Sequence, residues 1–438
     1  MIRSMFAFVC GLSMMLAPAC VVRAQLVSSS GGSIRARRAE PIPRRPFPQH
    51  VVYAPGTLRP SHRSQAVQDA DMIALYEAWK GRYLAPAGTE PDGHVRYRIL
   101  HHRNPQGDTV SEGMGYGMLI VAYMAGYDPQ AHAIFDGLYE YVLDHPSVNG
   151  ASLMDWNVPA NEAPNPPEDD SAFDGDADIA YALLLASVQW GDRGRFDYHQ
   201  EAMTVLDAIM TRTVGVDSDL PLLGDWVSEP GDEYDQYTPR TSDFMPGHFH
   251  AFARATGDPR WNDVASACQN AIGQIQATFS PATGLIPDFL VPVSANDHTL
   301  IPAPAFFIEG PNDGRYEYNA CRDPWRFATD ALINNDPISR AEALTIAQWS
   351  RSATMGDPQA IHAGYKLDGT PVAGSDYFSA AFAAPLAVAA MLDPQGQAWL
   401  NALYDSVRQS DDDYYEDTLS VLGMLVLTGN WWDPTLTP

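Results

Sequence analysis

From residue 68 to residue 429 the chain reads as twelve helical segments of two kinds in strict alternation: 68–84, 111–126, 130–145, 176–191, 197–214, 242–257, 261–279, 319–334, 339–353, 375–392, 397–410 and 416–429. The even-numbered segments are apolar nearly all round, as in Ile179-Ala180-Tyr181-Ala182-Leu183-Leu184-Leu185-Ala186. A helix of that kind is buried on every side. The odd-numbered segments are amphipathic, with Met203, Leu206, Ile209 and Met210 set among polar residues in one of them. Such helices cover a core with one face only. Strand-like alternation is scarce. The pattern predicts an all-α fold, an (α/α)6 barrel with six inner helices wrapped by six outer ones.

The loops carry a second regularity. Those leading into the inner helices are long and rich in Pro, Asp and Trp, so they gather at one mouth of the barrel, where function concentrates. The inner helices open on Ser111-Glu112-Gly113, Asp174-Gly175-Asp176, Thr241-Ser242-Asp243, Asn319-Ala320-Cys321-Arg322, Ser375-Asp376-Tyr377 and Tyr414-Tyr415-Glu416-Asp417. Ser111 reads as an N-cap and Glu112 as a first-turn acid. Three glycines spaced two apart follow it (113, 115 and 117), leaving space for something large beside the carboxyl. Carboxyls crowded at one mouth repel, and one is pushed toward its neutral form. The acid and base that result are the pair glycosidic hydrolysis needs. Trp156, Trp226, Tyr234, Tyr237, Trp325, Tyr377, Tyr414 and Tyr415 frame the same loops. Aromatic planes suit the apolar faces of sugar rings, so the mouth reads as a cleft for a polysaccharide.

Composition limits the alternatives. Arg3, the apolar run 5–17 and Val22-Arg23-Ala24 predict a signal peptide over 1–24, and with it a secreted or periplasmic protein. A lipoprotein site at Cys20 fits less well, because Ala17 stands where leucine is expected. The run is too short to span a bilayer, and no other segment predicts a span. Residues 25–63 are rich in Ser, Gly, Arg and Pro and read as a disordered linker, leaving 64–438 as the catalytic domain. The first 63 residues hold nine arginines and one acid, so of the chain's 27 bases and 54 acids the remainder carries 18 and 53. Such a domain repels nucleic acid and anionic membranes. Beyond the signal only Cys268 and Cys321 remain, compatible with one disulfide or none. No cofactor or metal is expected: Asp174-Gly175-Asp176-Ala177-Asp178 opens like a calcium loop, but Ile179 stands where that loop needs glycine, and His248 and His250 read as structural. A monomer is expected.

Five ordered motifs resemble glycoside hydrolase family 8: Ser111 to Met118, Leu153-Met154-Asp155-Trp156, Ala172 to Leu183, Ser242-Asp243-Phe244-Met245-Pro246, and Cys321-Arg322-Asp323-Pro324-Trp325-Arg326. With the helices they cover about Ala66 to Trp432. One departure is Phe173, where the family usually carries Ser or Thr. The resemblance implies an inverting, endo-acting hydrolase of β-1,4-linked polysaccharide. It makes Glu112 the proton donor and Asp174 the residue that binds and distorts the central sugar. Trp156 and Trp226 become stacking platforms, and Arg322 and Tyr414 position the water and its base. Asp176, Tyr237 and Asn319 join the substrate-binding set. Many members carry the base aspartate where this chain has Asn319, and an amide cannot take a proton from water. A subgroup with this asparagine draws its base from an inserted loop, which Phe306-Phe307-Ile308-Glu309-Gly310-Pro311-Asn312-Asp313 fits. Glu309 is therefore the expected general base, its pKa tuned by the three apolar residues before it, with Asp313 and Glu317 in reserve.

The expected substrates are β-glucan, cellulose-like or mixed-linkage, and chitosan, then xylan. Two other classes use similar toroids. A non-catalytic polysaccharide-binding protein would need the aromatics but neither Glu112 nor a base. A polysaccharide lyase favours anionic uronates, which this acidic domain would repel.

Overall fold

The computed structural model describes residues 41–104, 107–160, 169–227 and 233–437. The expected signal segment, and the expected linker as far as residue 40, lie outside the described residues. Among the described residues the twelve α-helices are α1 (Gln65–Tyr83), α2 (Ser111–Tyr123), α3 (Ala131–Asp144), α4 (Phe173–Trp190), α5 (Tyr198–Arg212), α6 (Pro246–Thr256), α7 (Arg260–Phe279), α8 (Asp323–Asn334), α9 (Pro337–Ala353), α10 (Ala380–Ala390), α11 (Gln397–Val407) and α12 (Tyr414–Leu427). No boundary differs from the sequence expectation by more than five residues. Two of the largest differences have a cause: short 3-10 turns, Thr241–Asp243 and Ala320–Arg322, precede α6 and α8.

The inner ring closes. Helix α2 packs on α4, α4 on α6, α6 on α8, α8 on α10, α10 on α12, and α12 back on α2. The outer helices α1, α3, α5, α7, α9 and α11 pack on α12, α2, α4, α6, α8 and α10 in turn. This is the (α/α)6 barrel, and the all-round apolar helices are its inner wall: every residue of α10 and nearly every residue of α2 is buried. Helices α2 and α4 approach closely: a Cβ on Gly115 would lie 2.7 Å from the Asp178 Cβ, and one on Gly175 would lie closer still to Ser111 Oγ.

Among the described residues three antiparallel strand pairs escape the helical reading: the hairpins β1 (Leu84–Thr89) with β2 (Val95–Ile99) and β5 (Leu290–Ser294) with β6 (Asp297–Pro302), and the long-range pair β3 (Thr109–Val110) with β4 (Asn157–Val158). They are short, and prolines 86, 292 and 302 interrupt two of them. The pair Val110↔Asn157 matters most, because it docks the Trp156 loop against the start of α2.

The linker reading is corrected from Pro41 onward. Residues 41–63 form a strap across the closed end of the barrel. Its backbone N–H groups donate to carbonyls at or just past the C-terminal ends of five inner helices: Arg44 to Gln189, Phe47 to Ala125, Val51 to Gly429, Ala54 to Leu332 and Leu58 to Met391, at 2.7–3.0 Å. The last carbonyls of a helix have no partner within it, and the strap supplies one. Phe47 and Tyr53 are buried in the same layer. Cys268 and Cys321 are both buried free thiols, so no disulfide joins them. Among the described residues no helix is long and apolar enough to cross a membrane.

Candidate active site

At the open mouth the starts of α2, α4 and α8 and the turn before α6 meet on one guanidinium. Buried Arg322 donates through Nη1 to Glu112 Oε2 and, at 2.8 Å, to Asp174 Oδ2. Through Nη2 it reaches Ser242 Oγ at 2.7 Å and Asn319 Oδ1 at 3.1 Å. Asn319 in turn donates Nδ2 to Glu309 Oε2 at 2.8 Å. A continuous path, Glu112–Arg322–Asn319–Glu309, thus joins the two expected catalytic carboxyls. Arg322 was expected beside the water and base; it touches Glu112 directly and reaches Glu309 only through Asn319. Tyr414 departs further, since its hydroxyl donates to Glu112 Oε1 at 3.3 Å and so lies on the side of the expected acid.

The glycines after Glu112 have a different use from the one expected. A Cβ on Gly113 would sit 2.9 Å from the Tyr414 hydroxyl oxygen, and Gly115 admits α4. The large neighbours they make room for are the barrel's own. The start of α2 also lacks a side-chain cap: Ser111 is its first helical residue, and its N–H donates to the Trp156 carbonyl at 3.0 Å. Phe173 packs edge-on against Phe249 in the core, which absorbs the departure at that position.

Electrostatics separate the carboxyls. Burial raises the pKa of Glu112 and the Asp174 charge adds to it, together outweighing the opposing pull of Arg322. Burial works against Asp174 too, but Arg240 and Arg322 flank it and hold it at about 2. Arg240 escaped the sequence reading. It lies 2.9 Å from Asp174 Oδ1 and 3.0 Å from Asp243 Oδ1. A signal was available: in a domain so poor in bases, an arginine directly before Thr241-Ser242-Asp243 invites a role. Asp243 itself is pushed up to about 7, chiefly by burial, with Arg240 opposing. Asp288, also unforeseen, accepts from the N–H groups of Glu317 and Ala320 at 3.0 and 2.8 Å, and burial with the nearby Glu309 carries it to about 8. It anchors the segment that presents Asn319 and Arg322. A lone aspartate in a loop offers no pattern to find it by.

The base loop corrects three expectations. Glu309 is exposed, not wrapped by the apolar residues before it: Phe307 turns inward against Tyr234 and Phe289, whereas Phe306 is 75% exposed. Asp313 is no reserve base, because its buried carboxylate accepts from the N–H groups of Ile308, Glu309 and Gly310 at 2.8–3.1 Å and holds the loop in shape. Glu317 is engaged by Asn312 Nδ2 at 2.7 Å.

The aromatic residues divide. Trp156 is 41% exposed beside the start of α2. Trp226 is half-buried and edge-on to Tyr234. Tyr377 is exposed and bonded through its hydroxyl to that of Tyr318 at 2.9 Å. Tyr237 stacks on His298 of β6, which covers one of its faces. Trp325 is core, packed on Tyr116 and Trp431. Asp176 is also buried; its Oδ1 accepts from the Met154 N–H at 2.8 Å, so it supports the Trp156 loop in place of the expected sugar contact. His248 is structural, bonded to Asp178 at 2.8 Å and stacked on Tyr181. His250, Asp330 and Asp336 cluster, but both aspartates are engaged: Asp330 by Ser339 and Asn334, Asp336 as the cap of α9.

A carboxyl kept toward its neutral form, linked through one arginine and one amide to a solvent-facing carboxyl, is equipment for cleaving glycosidic bonds. The chain is a glycoside hydrolase. It belongs to glycosyl hydrolases family 8, whose model matches residues 46–429 and so takes in most of the strap. A beta-glucanase of Niallia circulans is 42% identical over 400 residues, covering 91% of this chain and 94% of that one. An endoglucanase of Bacillus sp. (strain KSM-330) is 37% identical over 397 residues, covering 89% and 82%. The apo structure of a beta-1,3-1,4-glucanase from Paenibacillus sp. X4 matches with a TM-score of 0.84 at 40% identity, over 89% of this chain and all of that one. The lyase and the non-catalytic binding protein give way to these relationships.

Proposed function

We propose that the enzyme is an inverting, endo-acting hydrolase of β-1,4-containing glucan, with Glu112 as general acid and Glu309 as general base, working on polymer outside the cytoplasm after loss of residues 1–24. The observation that carries the reading is the Asn319 amide. Where a base aspartate would deprotonate water directly, this amide donates to Glu309 and aims that carboxylate, while its own oxygen is held by Arg322. Glu112, its pKa raised chiefly by burial, protonates the leaving oxygen. Glu309, in contact with solvent, takes a proton from the water that attacks the opposite face of the sugar. Asp174 stays ionised between Arg240 and Arg322, available to accept hydrogen bonds from sugar hydroxyls. Trp156 provides a platform beside the acid. Inversion needs about 6.5–9.5 Å between the two carboxyls, room for one water.

The glucanase names of the relatives favour β-glucan, mixed-linkage or cellulose-like, over chitosan. Reducing-sugar release from barley β-glucan, carboxymethyl cellulose, chitosan and xylan ranks the substrates, and faster turnover of chitosan would overturn the choice of glucan. Glu309→Gln is expected to lower kcat on barley β-glucan by about 10²–10⁴ with the circular dichroism spectrum unchanged; near-normal turnover would move the base elsewhere. NMR of the nascent reducing end should show the α-anomer first, and a β-anomer would exclude inversion.

A further inference from the structure

We propose that Phe306 is a sugar-binding platform on the general-base side of the cleft, packing on the C–H face of a pyranose ring of the polysaccharide; the proposal rests on the hydrolase reading above. Three observations lead there. The first is exposure: Phe306 is 75% exposed while its neighbour Phe307 packs inward on Tyr234 and Phe289. A large ring left in water beside a catalytic carboxyl is available to a ligand.

The second is backbone strain. Phe306 has φ of 59°, a left-handed conformation that costs a bulky L-residue energy and is normally left to glycine. Among the described residues the exposed ring belongs to neither apolar cluster, so no core packing repays that cost. Residues held this way persist where the surroundings enforce the conformation, and they cluster at ligand clamps.

The third is the rigidity and placement of the turn. The Phe306 N–H donates to the Gly310 carbonyl at 2.7 Å, closing a loop around Glu309, and the Asp313 carboxylate clamps the next three N–H groups but one residue on, from Ile308 to Gly310. The backbone that carries the ring is therefore held at a set position relative to Glu309. The acid has a counterpart: Trp156 is exposed, and its carbonyl is bonded to the N–H of Ser111, directly before Glu112. Each catalytic carboxyl carries one exposed aromatic tied to its own turn, and a polysaccharide lying across both would meet a ring on either side of the scissile bond.

The test compares Phe306→Ala, Phe306→Gly and Phe306→Trp with the parent enzyme, by steady-state kinetics on barley β-glucan, affinity electrophoresis in gels holding that polymer, and thermal melting. Loss of the ring should raise KM about two- to tenfold and weaken retardation in the gel, with the loss in KM exceeding any loss in kcat. Phe306→Trp should restore both. Phe306→Gly should lose affinity while melting no lower than the parent, because it removes the strain together with the ring; a purely structural residue would not separate affinity from stability in this way. Unchanged KM and gel mobility in Phe306→Ala and Phe306→Gly would overturn the proposal, as would a lower melting temperature in Phe306→Gly. Glu309→Gln run alongside keeps the two readings apart: if it is inactive while the Phe306 variants bind normally, only the platform fails; if it turns over normally, the base assignment fails while gel retardation still reports on the ring.

Discussion

The two ends of the barrel are built from the same six inner helices and solve opposite problems. At the mouth the N-terminal ends converge, and helix N-termini favour negative charge. Glu112, Asp174 and Asp176 lie in first turns there, with Arg240 and Arg322 threaded between the acids. Some of this polarity stays open: one carboxylate oxygen of Asp243 is buried without a hydrogen-bond partner among the described residues. At the closed end the C-terminal ends converge, with carbonyls in need of donors and a dipole that favours cations. The strap brings N–H groups to five of those ends, and with them arginines: Arg45 lies 4.2 Å over the Trp432 ring, and Arg59 donates to the Val51 carbonyl beside Gly429. The charge split along the sequence, bases before residue 64 and acids after it, thus maps in part onto the two ends of one barrel. One end satisfies its polar groups and is inert; the other keeps them charged and is reactive.

The sharpest way to break that contrast is to neutralise each end in turn. At the mouth, Glu112→Gln should lower kcat on barley β-glucan by about 10²–10⁴ without lowering the melting temperature at neutral pH. The sign follows from the raised pKa of Glu112. Its contribution to stability is fully present below the ordinary glutamate pKa and is lost as pH rises through the elevated one, so at neutral pH a neutral glutamine costs nothing. A marked drop in melting temperature would show that the acid braces the barrel and is not tuned for reaction. At the closed end the prediction inverts. Gln189 donates Nε2 to the carbonyls of Arg45 and Ala122 at 2.9 and 2.8 Å and accepts from the Arg45 N–H at 3.0 Å. Gln189→Leu strands one buried and two half-buried backbone groups and should cost about 1–3 kcal/mol of stability, read by chemical denaturation, with kcat and KM unchanged at a permissive temperature. Altered kinetics in that variant would mean that the two ends are coupled.

The same contrast explains what the sequence discloses. Helix period and all-round apolarity are local properties, so the barrel and its mouth are legible, and so is the meeting of Glu112, Asp174, Asn319 and Arg322, because each opens an inner helix or the turn before it. The strap is not legible. Its order comes from hydrogen bonds to helix ends far away in sequence, and a proline-rich stretch without periodicity looks the same whether or not such partners exist. Asp288 stands alone in a loop and acquires meaning only when the chain folds around it, whereas Arg240 carries only the faint signal of a base placed before an inner-helix opening. The surroundings of Glu309 mislead for a related reason: three apolar neighbours suggest burial, but in a tight turn adjacent side chains point apart, and Phe306 leaves Glu309 uncovered while Phe307 enters the core. The glycines beside Glu112 mislead in the same manner, since close approach requires glycine whether the visitor is a sugar or the ring of Tyr414.

The smallest expected effect tests how finely the mouth is tuned. Tyr414 donates its hydroxyl to Glu112 Oε1 at 3.3 Å, a long bond that favours the ionised carboxylate and so opposes the burial and the Asp174 charge that raise the Glu112 pKa. Tyr414→Phe removes that donor and leaves the ring that fills the space over Gly113. With the opposing influence gone, the Glu112 pKa should rise further, and the alkaline limb of kcat/KM, where the general acid loses its proton, should move to higher pH. The acid limb should stay where it is, since the Tyr414 hydroxyl is bonded to Glu112 while Glu309 is bonded to Asn319. If the acid limb moved instead, Tyr414 would be serving the base, the role first expected for it, and the division of the mouth into an acid side held by Arg322 and Tyr414 and a base side held by Asn319 would have to be redrawn.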